Sequence, residues 1–210
     1  MDKDLVVLVE GRSDKKTIEA LLNRPEAFGI RALTFDVYAH PQSGPGCLNE
    51  AAPFFRAISA LLRYQYALVV FDREGCGRDK NSAQQIEEEV TNHLQEHGWG
   101  NRVGVVVIDP ELEAWIWSSS TEVVNALGWQ NHDPSLWQWL ESNHHVSALN
   151  SKPSHPKETL QSALKEVRKG YSASIHAHLA STVSTRRCTD ESFRRFKTLL
   201  TNWFSLPPDR

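Results

Sequence analysis

Residues 4–14 read DLVVLVEGRSD, and their reading decides the fold. Leu5 to Val9 is an unbroken apolar run with three valines. Continuous rather than alternating apolarity is what a strand covered on both faces requires, so Asp4 to Glu10 is expected to lie inside a parallel sheet. Gly11 closes the run, and Ser13 is the expected N-cap of a helix carrying Ile18, Leu21 and Leu22, which ends near Arg24-Pro25. The unit is strand, turn, helix.

The same unit recurs downstream. Strands are expected at 32–38, 66–71 and 103–108, and helices at 50–63 and 82–97, with HPQSGPGCL at 40–48 as a Gly/Pro loop. Strands alternating with helices of this length specify an α/β fold, a mostly parallel Rossmann-like sheet with helices on both faces. After Ile108 the strand signal stops. Segments 111–117, 121–127, 134–142, 156–169, 174–181 and 190–204 all have helical patterns. Two regions follow: an α/β core over 1–117 and a helical C-terminal cap over 118–210. Six of the seven tryptophans lie in the second half and are expected to pack that cap on the core.

With 210 residues, 40% hydrophobic and 23% charged, the chain has the makings of one hydrophobic core. The longest apolar runs are far short of the roughly 20 residues of a bilayer helix. An acidic residue follows too early for a signal-peptide stretch, so the expectation is a cytoplasmic protein with no membrane role. Cys47, Cys76 and Cys188 show no CxxC spacing, which argues against a disulfide framework or a cysteine zinc site.

The net charge of −3 conceals an asymmetry. Residues 151–210 hold 11 Lys and Arg against 5 acids, about +6, leaving 12 bases and 21 acids, about −9, in residues 1–150. Arg186, Arg187, Arg194, Arg195 and Lys197 are therefore candidates for contacts to a nucleic-acid backbone. Glu87-Glu88-Glu89, by contrast, is read as a solvated face.

Ligands of open α/β sheets gather beyond the carboxyl ends of the strands. Here those positions are acidic: Glu10 and Asp14 after the first run, Asp72 and Glu74 after the run at 66–71, Glu111 and Glu113 after the run at 103–108. Burying carboxylates together without partners costs several kcal/mol each, so a compensating cation is the economical explanation. Oxygen donors select magnesium, manganese or calcium over zinc. Two residues apart in an extended chain, Asp72 and Glu74 share a face and could chelate one ion. Glu111 and Glu113, two apart in a helix, are about 200° around from one another and cannot both face the same ion; Glu113 is the preferred ligand. His144-His145 and His176-x-His178 diverge in direction and are read as non-ligating.

Val9-Glu10-Gly11-Arg12-Ser13-Asp14, followed by Val69-Val70-Phe71-Asp72-Arg73-Glu74-Gly75, resembles the two signatures of the Toprim domain of topoisomerases, DnaG-type primases and OLD-family nucleases. The resemblance covers about residues 4–115. Pro110-Glu111-Leu112-Glu113-Ala114-Trp115 is similar to a segment of stand-alone Toprim proteins related to OLD nucleases, some of which serve prokaryotic anti-phage defence.

The resemblance implies a metal ligand or general acid/base at Glu10, a ligand at Asp14, and an Asp-x-Asp pair at Asp72 and Glu74, where the second member is a glutamate here. It further implies a glutamate after the next strand, Glu111 or Glu113, and a lysine near the scissile phosphate, Lys152 or Lys157, of which Lys157 is the catalytic candidate. The function expected is a two-ion Mg2+- or Mn2+-dependent nuclease or nicking enzyme acting on nucleic acid, DNA for preference, in antiviral defence. In that reading Glu10, Asp14 and one of the two late glutamates hold one ion, and Asp72 with Glu74 the other. With no ATPase region in sight, an ATPase or other defence protein encoded separately is the expected partner. The rival class is a non-catalytic nucleic-acid- or partner-binding subunit of a multiprotein system. Topoisomerase and primase roles lack a catalytic tyrosine motif and a zinc-binding segment.

Overall fold

In a computed structural model, described over residues 1–78, 80–147, 151–185 and 188–206, four parallel strands form one sheet in the order β2-β1-β3-β4. The strands are β1 (Lys3–Val9), β2 (Phe35–Ala39), β3 (Tyr64–Asp72) and β4 (Val103–Ile108). The continuous apolar runs become the strands covered on both faces: Leu5 to Val9, Ala67 to Phe71 and Val106 to Ile108 are all fully buried. Val9 pairs with Val70, and Asp72 with Ile108, so the carboxyl ends of β1, β3 and β4 finish side by side.

Helices cover both faces. α1 (Arg12–Leu22), the short α2 (Pro25–Phe28) and α10 (Glu191–Phe204) bury Ile18, Leu21, Phe28, Phe196 and Leu200 on Leu5, Val7 and Val70. On the other face α3 (Ser43–Ala57), α4 (Ala60–Arg63) and α5 (Ala83–Leu94) cover Val6, Leu8 and Val69. α6 (Thr121–Leu127), α7 (Leu136–Ser142), α8 (Pro156–Glu166) and α9 (Ala173–Thr182) enclose a separate core around Trp117, Trp129, Leu140 and Leu160. α9 also lies along α1. Among the described residues no helix is long and apolar enough to cross a membrane.

α10 packs directly on β4: Gly104 has no Cβ, and one added there would come 2.8 Å from Leu199, so the glycine lets the helix lie close on the strand. Three expectations need correcting. The expected loop at 40–48 contains the start of α3, whose Pro45 sits in the first turn, where its missing N–H is no loss. Gly11, not Ser13, is the N-cap of α1.

Glu87 is not solvated. Its Oε1 accepts from the outer N–H of Val107 at 2.8 Å and from Arg195 Nε at 2.9 Å, while Arg195 Nη2 donates to the Val107 carbonyl at 3.2 Å. A strand at the rim of a sheet presents unpaired backbone groups, and here two side chains cover them in place of another strand.

Candidate metal centre

Glu10 directly follows β1, and Asp72 is the last residue of β3. Asp72 donates its backbone N–H to Glu10 Oε2 at 3.2 Å, which ties the two strand ends together. Asp14 arrives from the first turn of α1, one turn beyond the bend at Gly11. The first turn of α3 crosses above: a Cβ on Gly44 would stand 3.0 Å from Glu10 Oε2, so this helix approaches the carboxylate as closely as it does because the residue is glycine.

The third arm comes from β4. Past Asp72 the pairing of β3 with β4 continues through the loops, with Arg73 N–H bonded to Ile108 O at 2.8 Å and Glu74 N–H to Pro110 O at 3.0 Å. The backbone at Glu111 is extended (φ −160°, ψ 167°), and only Leu112–Trp115 winds into a 3-10 turn. The helical spacing expected across Glu111 and Glu113 therefore does not apply. Both carboxylates turn inward, to the same side as Asp72.

The result is two overlapping triads. Ligating oxygens of Glu10, Asp14 and Asp72 all lie within 4.8 Å of one another, as do those of Asp72, Glu111 and Glu113. Asp72 belongs to both. Glu74 is in neither, because the chain turns at Glu74-Gly75 (Gly75 φ 78°) and leaves the extended geometry on which the shared face depended; its side chain is exposed. The expected division into one ion on Asp72 with Glu74 and another on the remaining acids is thus replaced by a division about Asp72.

Lys157, Tyr171 and His176 stand around the carboxylates. Lys157, second residue of α8, donates its backbone N–H to Glu111 Oε1 at 2.8 Å and holds its ammonium 3.8 Å from Glu111 Oε2. Trp117 fixes that helix start by donating its indole N–H to Pro156 O at 3.0 Å. Lys152, the other candidate, is held by Ala114 O at 2.7 Å and Asp190 at 3.4 Å. Tyr171 donates its hydroxyl to Glu113 Oε1 at 2.5 Å, and the buried His176 places Nε2 3.8 Å from the same oxygen. Tyr171 and His176 have no signal in the sequence that ties them to Glu113, some sixty residues away; His176 belongs to neither triad and lies beside one of the candidate ligands.

The electrostatics follow from burial and crowding. Burial, reinforced by Glu10, raises the Asp14 pKa to about 7, and burial likewise raises that of Glu111 to about 7. Burial and then Glu10, Asp14, Glu113 and Glu111 push Asp72 well up, and burial raises Glu10. Burial opposes the charge on Lys157, yet Glu113, Glu111, Asp72 and Glu10 together outweigh it and raise its pKa. Burial lowers that of His176.

Among the described residues, the buried Oδ1 atoms of Asp14 and Asp72 have no hydrogen-bond partner. Orphaned buried carboxylate oxygens are costly, and an all-oxygen donor set suits a hard divalent cation. The cluster can hold a metal ion.

The expected basic face is only partly assembled. Arg186 and Arg187 lie outside the described residues. Arg195 is committed to Glu87 and the β4 edge. Arg194 is exposed and donates its guanidinium to Thr189 O at 2.7 Å, and Lys197 is half-buried on the same helix. Comparison of the chain with protein-family models, curated proteins and solved structures finds no match.

Proposed function

We propose that the chain is a Mg2+- or Mn2+-dependent phosphodiesterase acting on nucleic acid, a Toprim-like nuclease of the OLD branch working in prokaryotic antiviral defence beside a separately encoded partner. The observation that carries this reading is the convergence of five carboxylates from three adjacent parallel strand ends into two triads sharing Asp72, with Lys157 at their border. Structural acids on a solvated loop need no such burial. Bound cations would supply Lewis-acid polarisation of a phosphoryl oxygen and an activated water.

In this scheme Glu10, Asp14 and Asp72 form one ligand set and Asp72, Glu111 and Glu113 the other. Tyr171 fixes the rotamer of Glu113 through its hydrogen bond. The ammonium of Lys157 neutralises charge that develops on a phosphate oxygen, an effect strengthened where water is excluded. Glu10, tied to the end of β3 by the Asp72 N–H, keeps its carboxylate oriented towards Asp14 and Asp72. Arg194 and Lys197 on α10 offer contacts to the strand backbone.

The test is cleavage of supercoiled plasmid and of single-stranded oligonucleotides with Mg2+, Mn2+ or EDTA. Glu10→Ala and Asp72→Ala should abolish cleavage. Equal rates in parent and variants would overturn the proposal.

A further inference from the structure

A cavity of about 440 Å3 lies between α1, the 115–120 segment, α9 and the chain leading into α10. Its size is that of a site for a small molecule. Three of its lining residues tie it to the elements of the acidic centre: Thr17 is one turn beyond Asp14 on α1, Trp115 is two residues beyond Glu113, and His176 places Nε2 3.8 Å from Glu113. His176, which both lines the cavity and reaches Glu113, joins the two.

The lining has a definite chemistry. Trp115 packs edge-on against Phe193 with ring centroids 5.1 Å apart, giving an aromatic wall. Ser118 and Ser119 add hydroxyls at the rim. His176 is 1% exposed, and among the described residues neither of its ring nitrogens has a hydrogen-bond partner. An imidazole left this way is costly, and a ligand with a hydrogen-bonding edge would satisfy it. Among the described lining residues, Lys152 alone is a lysine or arginine, and its ammonium is already held by Ala114 O and Asp190. The cavity therefore suits a flat neutral group with a donor/acceptor edge better than a phosphate.

We propose that this cavity receives a nucleobase of the strand whose phosphate lies at the acidic centre. The proposal rests on the phosphodiesterase reading and deepens it: the substrate is a strand with an unstacked base, single-stranded or with a nucleotide turned out of a duplex.

The tryptophans lining the cavity supply the readout. The full chain in EDTA is titrated with adenosine, guanosine, cytidine and uridine while its fluorescence is followed. Saturable quenching by at least one nucleoside is expected. It should weaken about tenfold or more in Ala180→Phe, which fills the cavity from α9, and in Ser119→Tyr, which narrows an exposed rim position. Circular dichroism verifies that each variant is folded, and the rim variant serves alone if the α9 variant does not fold.

With Mn2+, the same variants should raise KM for a single-stranded oligonucleotide about tenfold. Nucleoside affinity unchanged in the filled variants, or no saturable quenching by any of the four, overturns the base site even where cleavage proceeds. Nucleoside binding that the variants weaken, in a chain that cleaves nothing, supports the base site and overturns the phosphodiesterase reading instead.

Discussion

Asp72 is the residue on which the centre turns, because it alone serves both triads. Removing an outer partner of a metal ligand costs 10–100-fold in metal affinity or activity. Removing a ligand shared by two sites should cost more, so Asp72→Asn is expected to lower Mn2+-dependent cleavage by at least about a hundredfold. Glu74→Gln, at an exposed position two residues on, should stay within about twofold, since the side chain meets neither triad; a large loss there would restore the extended Asp-x-Glu chelate. Tyr171→Phe keeps the ring and removes the hydroxyl that holds Glu113, so Mn2+ half-saturation should rise about tenfold with the fold intact. Glu10 and Asp72 are legible because they follow apolar runs directly. Tyr171 and His176 are not: their relation to Glu113 is made by the packing of α9 along α1, a contact between distant parts of the chain that no local spacing encodes.

At the level of elements, the strands were the most readable part, since burial on both faces leaves a direct mark in composition. The segments after them were misread where backbone geometry, not side-chain pattern, decides the outcome. Glu111 stays extended and so turns the same way as Glu113, and the Gly/Pro stretch at 40–48 enters α3, whose first turn can pass close to Glu10 because Gly44 carries no side chain.

Charge runs were equally ambiguous. Glu87 and Arg195, read respectively as solvent-facing and phosphate-facing, cap the β4 edge together. Glu87→Ala leaves the Val107 N–H without its acceptor and should cost about 1–3 kcal/mol in urea unfolding. Arg194→Ala, on the exposed side of the same helix as Arg195, should stay within about 0.5 kcal/mol while lowering the slope of log affinity against log salt by about 1. A reversed pattern would return Arg195 to the nucleic-acid face.

For the whole molecule, the near-neutral total hides a concentrated defect in the metal-free fold. Asp14 and Glu111 titrate near 7 when folded, against ordinary carboxylate values near 4 when unfolded. Between those limits the folded state binds more protons than the unfolded one, so stability falls as pH rises from about 4 to about 7 and the penalty is complete above that window. The acidic cluster should therefore make the protein in EDTA melt at a lower temperature at pH 8 than at pH 5. A divalent cation binds the deprotonated carboxylates and releases their protons, so its stabilisation must grow across the same window. The melting temperature should rise far more on addition of Mn2+ at pH 8 than at pH 5. Asp72→Asn removes one of the crowded charges together with the shared ligand, so in EDTA at pH 8 it should melt higher than the parent and respond little to Mn2+. Equal melting of parent and variant in EDTA, together with an equal response to the metal, would mean that the five carboxylates do not act as one site.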